Sequence, residues 1–155
     1  MTARTPSDRS DELLAELRRH YEDSEVGVVF EIDAIEELTD DHAVVRGSYS
    51  QAGRPGATGA GVIPGPVQMA MADGFGWILS VAPLPPGSDA YTIDMSMQFL
   101  RPLPVGPYVA RCSLLRWSPR RSVVTIDIAP GHDEPTATFI TGAFSPRSAG
   151  GRTAG

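Results

Sequence analysis

A chain of 155 residues carrying a net charge of −6 has the length of one domain, and its acidic balance disfavours contact with a phosphate backbone, so no nucleic-acid partner is expected. A composition of 41% hydrophobic and 21% charged residues is ordinary for a globular fold, and no unbroken apolar run approaches the roughly 18 residues that suggest a membrane helix. The lone cysteine, Cys112, permits neither an intrachain disulfide nor a thiolate metal cluster.

Residues 1–7 are polar, and residues 8–21 predict a short helix with Leu13, Leu14 and Leu17 on one stripe. Ser7 or Ser10 is placed to cap it, and acidic residues early with Arg18, Arg19 and His20 late suit the helix dipole. This opening is polar where a signal peptide would be apolar, so a cytoplasmic location is expected. Residues 26–38 and 43–50 predict a hairpin around Thr39-Asp40-Asp41. Residues 51–65 form a glycine-rich loop, and connections this long in compact domains often serve function.

Residues 66–82, PVQMAMADGFGWILSVA, predict the long helix. Pro66 suits its first turn, and the apolar residues leave almost no polar face, so burial nearly all round is expected. Gly74 and Gly76 cost helix propensity and allow close packing against a neighbour. Residues 91–100, YTIDMSMQFL, alternate. Ile93, Met95, Met97 and Phe99 are expected on one face, with Thr92, Asp94, Ser96 and Gln98 on the other. Residues 108–118, 121–129 and 137–144 predict three more strands. The fold class is therefore α+β, one long helix against a curved antiparallel sheet. The expected boundaries are a tail and short helix over 1–25, the main domain over 26–145, and a polar tail over 146–155.

One residue stands out chemically. Asp73 is the only carboxylate in the long helix, and a charge there is costly unless paired or hydrated. His20, His42 and His132 lie far apart in sequence without metal-ligand spacing, so no metal is expected. Glycines 53, 56, 59 and 61 lead into no phosphate-loop lysine, and no cofactor motif is present.

The stretches GVIPGPVQMAMADGFGWIL and YTIDMSMQFLRPLPVG resemble the hotdog-fold acyl-CoA thioesterases, specifically the phenylacetic-acid-type (4-hydroxybenzoyl-CoA thioesterase-like) branch. That family's pattern is a glycine-rich loop, His-Gly-Gly, an apolar stretch and an acidic residue, then a strand bearing Ser or Thr. The resemblance implies a hotdog fold, homodimers or dimers of dimers, and a substrate tunnel at the subunit interface. It implies that Asp73 is the general base or nucleophile, that the Gly65 N–H polarises the thioester carbonyl, and that Thr92 holds the attacking water. Thr58 falls where several members carry an asparagine. Pro64, Val67 and Trp77 would border the substrate, and Arg101, Arg120 and Arg121 would meet the phosphates of coenzyme A. Two departures weigh against turnover: Pro64 replaces the histidine, and Pro66 replaces the second glycine and has no N–H to donate.

Spacing along the helix adds a constraint. Eight residues separate Gly65 from Asp73, which is about 12 Å at 1.5 Å per residue. One chain's pair cannot comfortably serve one carbonyl, whereas an antiparallel partner can supply its own Asp73. The expected function is hydrolysis of an acyl-CoA or acyl-carrier-protein thioester. The alternatives are a non-catalytic hotdog protein binding an acyl or aromatic ligand, another enzyme using the same tunnel, and a structural oligomer module.

Overall fold

The computed structural model describes residues 6–22, 30–50 and 61–150. Helix α1 spans Pro6–Glu22 and helix α2 spans Gly65–Val81. The strands are β1 (Glu31–Leu38), β2 (His42–Tyr49), β3 (Asp89–Phe99), β4 (Gly106–Ser118), β5 (Arg121–Ala129) and β6 (Thr138–Arg147). They form one six-stranded sheet in the order β1-β2-β4-β5-β6-β3, and every neighbouring pair is antiparallel. This is the α+β hotdog arrangement expected from the sequence, with α2 packed across the sheet.

Several element bounds differ from those the sequence predicts. Helix α1 already begins at Pro6, so Ser7 and Ser10 lie inside it and neither is its cap. Strand β3 starts at Asp89, two residues early, and β6 runs on to Arg147, because Asp89 pairs with Arg147 and Ala90 with Pro146. The predicted strand over 26–38 is described from residue 30 onward, with β1 beginning at Glu31, and residues 51–60 lie outside the described residues.

The core forms where α2 meets the strands. Met71, Phe75, Ile78 and Leu79 of α2 pack with Tyr108, Val124, Ile126, Ile140 and Phe144 of the sheet. Two glycines set how closely α2 approaches its neighbours. A Cβ at Gly76 would stand 2.2 Å from Phe144 Cζ, and one at Gly74 would stand 2.6 Å from the Tyr21 hydroxyl. Both helix-weakening glycines of the sequence thus serve packing, one against the sheet and one against α1.

Helix α1 is tied to both α2 and the sheet. Leu13, Leu14 and Leu17 belong to the same core. Arg9 donates to the Val81 and Leu84 carbonyls, both at 3.2 Å, satisfying groups at the C-terminus of α2 that have no helical partner. Tyr21 donates to the Ala70 carbonyl at 2.7 Å. Arg18 donates to the Ile32 carbonyl of edge strand β1 at 3.1 Å from Nε and to the Asp33 carbonyl at 3.2 Å.

The other edge, β3, is different. Tyr91, Ile93 and Phe99 on it are 60%, 51% and 57% exposed, and Leu100 just beyond is 53% exposed. An exposed apolar edge of this length is a template for pairing with another chain.

Candidate functional site

Helix α2 is not buried all round. Met69, Asp73 and Trp77, spaced four residues apart, form a partly open stripe, while Met71, Ala72, Phe75, Ile78 and Leu79 are buried. Asp73 is half-buried on that stripe, and it has a partner: the Thr92 hydroxyl of β3 donates to Asp73 Oδ1. That bond meets part of the cost of a carboxylate in an apolar helix.

Strict alternation puts Thr92 on the wrong face for this contact. The sequence reading grouped Thr92 with Asp94, away from Met95 and Met97, and the strand pairing overturns it. Thr92 lies opposite Phe144 and Asp94 lies opposite Ala143, with Ile93 unpaired between them. Directly paired residues share a face, and Phe144 faces α2 because its ring meets Gly76. The extra residue at Ile93 is a β-bulge, which reverses the parity of the strand. Thr92 therefore joins Met95, Met97 and Phe99, which pair with Gly142, Ile140 and Thr138, on the helix side, and Asp94 turns away from it.

A cavity of about 160 Å³ opens at this pair. Its apolar wall is Leu17 from α1, Gly74 and Trp77 from α2, Ala90 from β3 and Phe144 from β6. Trp77 fixes one side by donating its Nε1–H to Asp89 Oδ1 at 2.9 Å. Tyr21 and His20 reach the same cavity from α1. Burial, then the charge of Asp73, pushes the Tyr21 phenol well above its ordinary range, so it stays a neutral donor. No sequence motif pointed to His20 or Tyr21. Their place depends on α1 docking at Gly74, a glycine whose packing role the sequence did suggest.

Gly65 sits at the other end of α2. Pro64 is the residue before the helix, with φ −60° and ψ 146°, and no side chain caps it. Its carbonyl accepts from Val67 N–H at 3.0 Å and Gln68 N–H at 3.1 Å. Pro66 has no N–H, which leaves Gly65 as the one donor of the first turn without a backbone acceptor among the described residues. The ring of Phe99 lies over it, 3.2 Å from where a Cβ would be. The turn is braced by Gln68, a buried residue that sequence reasoning missed. Gln68 Nε2 donates to the Ile63 carbonyl at 2.8 Å, and its Oε1 accepts from the Thr138 hydroxyl. An amide in an otherwise apolar helix was the available signal.

The remaining sequence-predicted residues scatter. Val67 belongs to the buried core cluster, at its edge with 9% exposure. Arg101 is exposed, donates to the Thr136 carbonyl at 2.9 Å, and lies at the Phe99 end of β3. Arg120 and Arg121 are exposed in the β4–β5 turn. Ser122 next to that turn pairs with Phe144, which pairs with Thr92, so this turn belongs to the opposite end of the sheet. Within one chain the three arginines make no cluster. Thr58 lies outside the described residues. Among the described residues no group of histidine, cysteine, aspartate or glutamate side chains could hold a metal ion, and no helix is long and apolar enough to cross a membrane.

Residues 60–137 match the family model described as the thioesterase superfamily. A thioesterase from Haemophilus influenzae is similar in structure, with a TM-score of 0.69 at 19% identity over 90% of this chain and 94% of that one. A thioesterase from Pseudomonas aeruginosa superposes with a TM-score of 0.68 at 15% identity, covering 88% of this chain and 94% of the other. A Streptococcus mutans protein bound to acetyl-CoA gives 0.61 at 15% identity, over 84% of this chain and 99% of that one. No curated protein matches the sequence.

Proposed function

The chain belongs to the thioesterase superfamily, and we propose that it hydrolyses an acyl thioester of coenzyme A or of an acyl-carrier protein, with Asp73 as general base. The observation that carries this reading is the Thr92–Asp73 hydrogen bond at a largely apolar cavity. Thr92 occupies one carboxylate oxygen and leaves the other to accept a proton from water. That water attacks the thioester carbonyl carbon and forms a C–O bond as Asp73 takes its proton. The Gly65 N–H stabilises the oxyanion that develops. When the C–S bond breaks, the thiolate leaves and recovers the proton, giving a carboxylic acid and a free thiol.

The same proposal places the site between two subunits. Helix α2 runs opposite to β3: Gly65 lies under Phe99 at one end, and Asp73 meets Thr92 at the other. A two-fold pairing of exposed β3 edges, centred between Thr92 and Phe99, would bring one chain's Gly65 end to its partner's Asp73 end. It would also bring Arg101 toward the partner's Arg120 and Arg121, gathering cations for coenzyme A phosphates at one end of the assembly. The apolar residues exposed on β3 and α2 support such a pairing. The phenylacetic-acid-type branch is part of the proposal, supported by the Pro64–Asp73 spacing and the Thr92 strand.

A second reading, a ligand-binding protein without turnover, is favoured by one feature: Pro66 leaves the helix start with a single donor. One assay separates the two. Thiol release from short, long and aromatic acyl-CoAs is measured for the native chain and for Asp73→Asn. Turnover that the substitution abolishes supports hydrolysis. Tight acyl-CoA binding with no turnover in the native chain sinks it and favours the second reading.

A further inference from the structure

The cavity beside Asp73 is backed by residues of α1, α2 and β6. Leu17 and Phe144 are buried there at 2% and 1% exposure, and Gly74 lies between them on α2. Tyr21 lies on Gly74 so tightly that a Cβ would meet its hydroxyl at 2.6 Å and its Cε2 at 2.9 Å. The ring is fixed twice. Its hydroxyl donates to the Ala70 carbonyl at 2.7 Å, and its edge packs on Phe30 with centroids 4.8 Å apart. Behind Phe30 the contact continues to Phe75 and Tyr108, so the ring has packed core at its back. On the outer side, Trp77 latched to Asp89 separates the cavity from an open groove that shares His20, Trp77 and Asp89 with it.

Resting on the thioesterase reading, we propose that Tyr21 is the end stop of the acyl site and restricts the acyl group to about one six-membered ring or a chain of similar bulk. Size decides the class. The cavity holds about 160 Å³, and an apolar cavity of roughly 150 Å³ is filled by a single benzene ring. A ring or short branched acyl group fits beside Asp73, whereas a long straight chain meets the Tyr21 ring and has no room to continue. Tyr21 acts here as a specificity residue and takes no part in the bond changes.

The test uses binding as well as turnover. Non-hydrolysable S-alkyl thioethers of coenzyme A, from ethyl to decyl and including benzyl, are titrated by calorimetry against the native chain, Tyr21→Leu, Tyr21→Ala and Tyr21→Phe. Each methylene that finds apolar burial improves affinity by roughly fourfold. In the native chain that gain is expected to stop near hexyl. In Tyr21→Leu and Tyr21→Ala it continues to octyl or decyl, and in Tyr21→Phe, which keeps the ring, it stops where the native chain does. Thermal melting of each variant confirms folding, and Tyr21→Leu retains apolar contact with Phe30 should the alanine variant be too unstable. Native affinity still rising through decyl, an unmoved limit in Tyr21→Leu, or no thioether binding at any length overturns the stop. A limit that moves as expected in a protein that hydrolyses no thioester keeps the stop and removes the hydrolase reading instead.

Discussion

Thr92 reaches Asp73 because Ile93 does not pair: the bulge between Thr92 and Asp94 turns the Thr92 hydroxyl toward α2, where it donates to the carboxylate. The two residues come from different elements, and the contact is set by strand register rather than by sequence spacing. Removing either side of it has a different consequence. Asp73→Asn removes the proposed general base and is expected to lower kcat by roughly a hundred- to ten-thousand-fold. Thr92→Val removes one hydrogen bond to a charged group, and a loss of roughly ten- to a hundredfold is expected. Steady-state kinetics on the preferred acyl-CoA checks both, and equal losses from the two substitutions would contradict the division of roles.

The bulge itself is testable. Deleting Ile93 removes the extra residue and leaves Thr92 directly paired with Phe144, on the α2 side with Met95 and Met97. The deletion variant is therefore expected to stay folded and to keep most of the native kcat, unlike Thr92→Val. A loss as large as that of Thr92→Val would show that pairing with Phe144 does not hold Thr92 on that face.

Gly76 was legible as a packing residue, and its neighbour is now known. Alanine there gains helix propensity of about 1 kcal/mol. It also sets a Cβ 2.2 Å from Phe144 Cζ, so the buried ring must be pushed from its place against α2. Overpacking of this kind costs about 1–3 kcal/mol, so Gly76→Ala is expected to lower stability in urea unfolding. A stabilised variant would mean that Phe144 repacks freely.

Three buried groups make stability fall at alkaline pH. Burial pushes the thiol of Cys112 and the phenols of Tyr21 and Tyr108 upward. Each holds its proton more tightly folded than unfolded. Their contribution is complete below the unfolded pKa values and is lost as pH rises, beginning at about pH 9–10. Melting temperature measured from pH 7 upward is expected to be level and then decline in that window. The buried thiol has a practical consequence. Cys112 should not react with a thiol reagent until the chain unfolds, so a thiol-release assay on the native protein reports coenzyme A alone.

Much of the architecture was legible because it is local. The order of helices and strands followed from apolar periodicity, and Asp73 stood out as one charge in an apolar run. What was illegible depends on contacts across the chain. The face of Thr92 is fixed by pairing with β6, and its side chain meets Asp73 only because of a bulge that alternation cannot show. Tyr21 and Gln68 act through bonds to Ala70 and Thr138, 49 and 70 residues away.

The central claim is that Asp73 of one subunit serves Gly65 of the other, and mixed variants test it most directly. Gly65→Pro removes the N–H: proline suits the first helical position, Pro64 already has the extended geometry a following proline demands, and the exposed Phe99 ring, 3.2 Å from the added Cβ, has to give slightly. Asp73→Asn and Gly65→Pro chains are each expected to be inactive as purified. After unfolding and refolding together in equal amounts, half the dimers are mixed and each carries one intact site, so about a quarter of native activity should return. Recovery to that level is the predicted result. No recovery, from two variants that fold and associate, would mean that both residues must come from the same chain and would contradict the account.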